Sequence, residues 1–133
     1  GVEHGGLSAW LMAYGLYNDL AYRGMDITLN ALQTRLGIAH WPAFVERDAW
    51  TAEAVTDAGI WMDSQKGPCL IICDGGDKPK ELRLYAPLLR PGDVMLGHDY
   101  HNEYVDDAIA DVPARQVRAD WLDDTLICMW VKA

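Results

Sequence analysis

The feature that most constrains this chain is a continuous apolar run, Cys69-Leu70-Ile71-Ile72-Cys73, closed off by Gly67-Pro68 before it and Asp74-Gly75-Gly76 after it. An apolar run without alternation suits a strand buried on both faces, and such strands belong to parallel sheets covered by helices. The segments on either side follow the same plan. Leu7, Trp10, Leu11, Tyr14 and Tyr17 recur at helical spacing, which predicts a helix over 7–20 directly after a glycine-rich loop. Arg23 to Ile27 reads as a short strand, and Thr28 as the cap of a helix that runs to Leu36 and stops at Gly37. Ala43 to Asp48 reads as the next strand, with Thr51 and Glu53 opening a helix to about Asp63.

Beyond the apolar run, Lys78 to Leu89 reads as a helix with Leu82, Tyr85, Ala86 and Leu89 on one face. Pro91-Gly92 turns the chain into a strand over Asp93 to Gly97, and a short helix is expected near Tyr104 to Ala110. Arg115 to Ala119 and Thr125 to Val131 read as two strands joined by 121–124, pairing as a hairpin at the sheet edge. Alternating strands and helices predict an α/β fold: a Rossmann-like, doubly wound, mostly parallel sheet with a C-terminal antiparallel hairpin, in a single domain over 1–133. A chain of 133 residues can bury such a core without disulfides or a structural metal.

One element of that plan is not in the sequence. A glycine loop of this kind normally follows a strand, and no strand precedes Gly1. The loop's neighbours in the sheet would then carry unpaired backbone groups. The missing strand is expected from an N-terminal segment, from a second copy of the chain in a homo-oligomer, or from a rearranged sheet edge.

Charge and composition narrow the partners. Eleven basic against twenty acidic residues give a net charge of -9, so a nucleic acid would meet a repulsive average field. No apolar run approaches the roughly 20 residues that span a bilayer, and no signal-peptide pattern is present. Cys69, Cys73 and Cys128 are odd in number and lie in or beside apolar segments, which fits reduced thiols in a cytoplasmic protein. The expected partner is a small molecule.

In an open α/β sheet, ligands bind beyond the carboxyl ends of the strands. Here those ends carry Asp26, Asp48, Asp74 and the pair His98-Asp99. Glycines 1, 5 and 6 would let the backbone approach a ligand, and Asp26 lies twenty residues beyond Gly6, the spacing at which an acid accepts hydrogen bonds from a ribose. An adenosine-type ligand follows, with Asp48 and Trp50 near the adenine. Asp74 and Asp99 end strands that would lie about 5 Å apart if adjacent. Two carboxylates that close repel unless a cation or proton intervenes, which suits Mg²⁺. His98 is a third candidate ligand, a softer donor better suited to Mn²⁺, Fe²⁺ or Zn²⁺. The plain alternative is that Asp74 caps the next turn and Asp99 is solvated.

The stretches Asp74-Gly75-Gly76-Asp77, Glu81 to Leu89 and Pro91-Gly92-Asp93-Val94-Met95-Leu96-Gly97-His98-Asp99-Tyr100 resemble the cephalosporin hydroxylase and rhamnosyl O-methyltransferase group. That group belongs to the class I S-adenosylmethionine-dependent methyltransferases and is similar to macrolide-sugar O-methyltransferases. Gly1 to Ser8 looks like its cofactor loop and Gly24-Met25-Asp26-Ile27 like its ribose-binding strand end. The resemblance implies that Gly1, Gly5 and Gly6 contact the methionine moiety, with Glu3 and Ser8 in the same loop. It implies Asp26 at the ribose, Asp48, Ala49 and Trp50 at the adenine, and Asp74 beside the cofactor. Asp74 and Asp99 match two acidic metal ligands, and His98 stands where the third is usually Glu. Asp77 stands where the macrolide-sugar enzymes carry their His base. A carboxylate of ordinary pKa is a poor base for a sugar hydroxyl, so Asp77 as the catalytic base needs a raised pKa or a substrate whose pKa a metal lowers; Lys78, His101 and His98 are the other candidates.

The expected activity is transfer of a methyl group from S-adenosylmethionine to a hydroxyl of a small molecule, assisted by Mg²⁺ or Mn²⁺. Two other readings use the same residues: a methyltransferase-like binding or assembly module without chemistry, and a nicotinamide-dependent oxidoreductase. The latter leaves the Asp74 and Asp99 pair without a role.

Overall fold

The computed structural model describes residues 18, 20–26, 44–102, 104–123 and 125–133. It divides into two compact units, Gly1–Ala49 and Trp50–Ala133. The cofactor loop and the helix expected from Thr28 to Leu36 lie outside the described residues, as does the helix expected over 7–20 apart from Asn18 and Leu20.

In the first unit, β1 (Gly24–Asp26) and β2 (Phe44–Glu46) form a two-stranded parallel sheet in which Gly24 pairs with Phe44 and Asp26 with Glu46. Both strands were expected here, and both are shorter than the sequence suggests. Gly24 is dictated by the Phe44 ring. A Cβ at that position would lie 2.9 Å from the ring and 3.1 Å from the Tyr22 hydroxyl. The Tyr22 and Phe44 rings meet edge to face with centroids 5.7 Å apart.

The second unit opens with α1 (Ala52–Ser64), whose N-terminus is capped as its sequence demands: the Thr51 hydroxyl accepts the Ala54 N–H at 3.2 Å. Its inner face is Ala54, Ala58 and Met62, one residue per turn. There follow β3 (Leu70–Cys73), α2 (Lys78–Tyr85) with a 3₁₀ turn over Ala86–Leu88, β4 (Val94–Gly97), α3 (Asp106–Ile109), β5 (Arg115–Val117), α4 (Asp120–Asp123) and β6 (Cys128–Val131). The four strands form one mixed sheet in the order β3-β4-β6-β5. β3 and β4 are parallel, with Leu70 opposite Val94 and Cys73 opposite Gly97, and α2 supplies the crossover between them. The fold is thus mixed α/β.

As expected, the last two strands pair antiparallel at one end of the described sheet. β6 lies between β4 and β5 and is antiparallel to both, and the segment that joins β5 to β6 contains α4. One expectation about this sheet needs correction. β3, expected to be buried on both faces, pairs only with β4 among the described residues, and Leu70 at its start is 52% exposed. Sequence periodicity identifies strands but carries no information about which strand lies beside which.

The core of this unit is Trp130, Leu82, Leu89, Met95 and Cys73, all essentially inaccessible. Met95 faces Trp130 and Gly97 faces Cys128 across the β4–β6 ladder, and the buried side of α2 packs against β3 and β4. Gly97 has no room for a side chain. A Cβ there would strike the Tyr104 hydroxyl and lie 3.3 Å from Trp130 and 3.4 Å from Leu82. Gly97→Ala is therefore expected to lower stability by about 1–3 kcal/mol, read as a shifted urea midpoint with unchanged slope. A midpoint equal to that of the unaltered chain would show that the Tyr104 ring can move aside at no cost. No helix among the described residues is long and apolar enough to cross a membrane.

Candidate active site

Because β3 and β4 are parallel and in register, the residues that follow them emerge side by side. The His98 N–H donates to the Cys73 carbonyl at 3.1 Å, which extends the ladder by one step and sets His98 beside Asp74. The chain then turns sharply. Asp99 and His101 both adopt left-handed backbone conformations, with φ of 61° and 67°. Such conformations are uncommon outside glycine and often mark functional loops. The turn is held by backbone bonds from Asn102 to Asp99, from His101 to Tyr104 and from Tyr100 to Leu126.

The result is a compact polar cluster. One ligand atom from each of Asp74, His98 and Asp99 lies within 4.8 Å of the others, the spacing a bound cation needs. His98 Nδ1 lies 3.3 Å from Asp74 Oδ1 and 3.1 Å from Asp99 Oδ2. Lys78, the first residue of α2, brings its Nζ to 3.1 Å from the same Asp99 oxygen, with a side chain only 6% exposed. Burial of Asp99 opposes its charge, but the hydrogen bond from Lys78 and the neighbouring His98 outweigh this and hold its pKa below the usual carboxylate value. Glu81 is tied to the loop that follows Asp74. It is buried, its Oε2 accepts the Gly75 N–H at 2.9 Å, and burial pushes its pKa up.

The other expected site residues are distributed as follows. Asp26 ends β1, while Asp48 and Ala49 follow β2 in the first unit. Trp50 belongs to the second unit, where the Lys80 ammonium lies 4.6 Å from its ring centroid. Asp77 is the N-cap of α2, accepting the Lys80 N–H at 3.1 Å. His101 does not join the cluster. Its ring packs on Tyr100 with centroids 3.7 Å apart, and it lines a cavity of about 180 Å³ together with Tyr100, Gln116, Arg118, Ile127 and Cys128. Gly1, Glu3, Gly5, Gly6 and Ser8 lie outside the described residues.

No protein-family model, curated protein or solved structure matches the chain.

The sequence pattern misses one residue of the cluster region, Glu81, and one contact, that of Lys78 with Asp99. Glu81 was seen only as part of a helix, although its position is informative. Lys78, Glu81, Leu82 and Tyr85 form the buried stripe of α2, and a carboxylate on such a stripe needs a partner. Lys78 was named as a candidate base, yet its contact with Asp99 depends on the left-handed turn, which no local pattern announces. The three thiols stay protonated near neutral pH. Burial raises all three, and Cys128 is pushed up to about 12. A thiol raised in this way is a weak nucleophile at neutral pH.

Proposed function

We propose that this chain is a Rossmann-like, S-adenosylmethionine-dependent methyltransferase domain that methylates a hydroxyl of a small molecule with the help of a divalent cation. The observation that carries the reading is the meeting of Asp74, His98 and Asp99 at the carboxyl ends of two adjacent parallel strands. The mixed sheet with its inserted antiparallel strand accords with it, as do the acids that end or follow β1 and β2 in the first unit. The donor set fits the cation: two carboxylate oxygens and an imidazole nitrogen leave room for an acceptor oxygen, and the nitrogen favours Mn²⁺ over Mg²⁺.

In this reading Asp74 Oδ1, His98 Nδ1 and Asp99 Oδ2 would hold the cation. Once bound, it would lower the pKa of an acceptor hydroxyl. The acceptor hydroxyl would have to reach the cation at this cluster, and a base would take its proton as the methyl group passes from sulfur to oxygen. The chain's main contribution would be orientation, holding the oxygen in line with the methyl group. Asp26 would accept the ribose hydroxyls of the cofactor, and Asp48 would take the adenine edge.

Calorimetry with S-adenosylmethionine and S-adenosylhomocysteine tests the cofactor directly. Binding of both is expected, and Asp26→Ala should weaken it about tenfold or more, the loss of one or two hydrogen bonds to a ribose. Absence of heat with either compound would favour a methyltransferase-like module without chemistry. One observation already leans that way: the side chain at the expected base position, Asp77, is engaged in capping α2.

A further inference from the structure

The Lys78 ammonium and a divalent cation have claims on the same atom. A cation held by Asp74 Oδ1, His98 Nδ1 and Asp99 Oδ2 would sit about 2.0–2.6 Å from each oxygen. Lys78 Nζ is 3.1 Å from Asp99 Oδ2. The two positive centres would then be less than about 6 Å apart, with little water between them because the Lys78 side chain is 6% exposed. The helix cannot carry the ammonium away, since Lys78 is fixed in the first turn of α2 by the Asp77 cap. Only rotation of the lysine side chain can relieve the repulsion.

The converse also holds. With no cation bound, Asp74 and Asp99 have ligand oxygens within 4.8 Å of each other, and the ammonium supplies the positive charge that such a pair needs. His98 has two corresponding states. It can donate an Nδ1 hydrogen toward the carboxylates, or offer the lone pair of the same nitrogen to a metal, but not both at once.

We propose that Lys78 is the resident counter-cation of this cluster and that a divalent cation enters by exchange, displacing the ammonium from Asp99. The inference rests on the cation reading of the site. It adds that metal-free protein is charge-compensated and folded, and that metal affinity is set by competition with an internal group. Lys78 is a positioning residue in this role.

The test is Mn²⁺ binding to the full chain by calorimetry. Lys78→Met should bind Mn²⁺ about tenfold or more tighter than the unaltered chain, because a nearby like charge has been removed. Lys78→Gln, which keeps a hydrogen-bond donor without the charge, should do the same and serves if the methionine variant fails to fold by circular dichroism. Lys78→Arg should bind no tighter than the unaltered chain, and Asp99→Asn should lose binding. Equal or weaker Mn²⁺ binding by folded Lys78→Met or Lys78→Gln, with the unaltered chain still binding, overturns the exchange alone. Absence of Mn²⁺ binding by the unaltered chain and by every Lys78 variant overturns both the exchange and the cation reading.

Discussion

Asp93→Ala is expected to destabilise the second unit by about 2–4 kcal/mol, because it removes a buried carboxylate paired with a partly exposed arginine and leaves several donors without acceptors. Asp93 opens the strand-bearing segment of β4 and is 1% exposed. Its carboxylate accepts the Cys69 N–H at 2.6 Å, the Arg90 N–H at 2.9 Å and Arg90 Nε at 2.9 Å. Arg90 in turn reaches the carbonyls of Met62 and Gly67. One carboxylate thus ties together the end of α1, the entry to β3 and the entry to β4. Urea unfolding of Asp93→Ala and Asp93→Asn would measure the loss, with the asparagine variant recovering part of it. A loss below about 1 kcal/mol would mean that water satisfies these donors after substitution. The pair also predicts an acid limit. Burial opposes the Asp93 charge, but Arg90 and the two backbone N–H groups outweigh it and lower the folded-state pKa below the ordinary value. The group therefore stabilises the fold above about pH 4, and that contribution is lost as the pH falls through the lowered folded value. Asp93→Ala should lack this part of the acid dependence.

The second large effect concerns chemistry. Under the proposed methyltransferase function, replacing Asp74 and Asp99 together with alanine should reduce metal-dependent methyl transfer by at least about a thousandfold, the scale on which loss of preorganised charge at a reacting centre is felt. The cluster gives each residue a distinct share. Asp99 is also the partner of the buried Lys78, so its loss costs both a ligand and the compensation of an ammonium. Asp74 directly follows β3 and contacts His98. The assay is transfer of labelled methyl from S-adenosylmethionine to a panel of hydroxylated acceptors, with and without chelator. Thermal midpoints of each variant separate unfolding from loss of chemistry. Unchanged turnover of the folded double variant in the presence of chelator would remove the cation from the reaction.

Much of this arrangement is legible in the amino-acid sequence itself. The apolar run ending at Cys73 and the turn Pro91-Gly92 located β3 and β4, and the acids after them were expected to meet. They do, because parallel pairing in register allows little else. Thr51 was legible as a cap because it precedes a helical pattern with Glu53 in the first turn. What escaped depended on three-dimensional neighbours. Arg90 and Asp93 flank a Pro-Gly turn and look like ordinary turn residues, yet they form an ion pair whose carboxylate is buried. Lys78 and Glu81 sit where a helix of this kind would carry apolar side chains. The central position of β6 was hidden because nothing in Cys128 to Val131 distinguishes an inner strand from an outer one.

That position of β6 has a consequence for the order in which the chain can be made. During synthesis β4 and β5 emerge before the strand that lies between them. Until Cys128 to Val131 have left the ribosome, β4 offers one open backbone edge and β5 another, and Met95 and Gly97 lack the Trp130 and Cys128 that face them. The nascent chain is then exposed to strand pairing with the wrong partner. Closure of this part of the sheet waits for β6, the strand that fills the gap between β4 and β5.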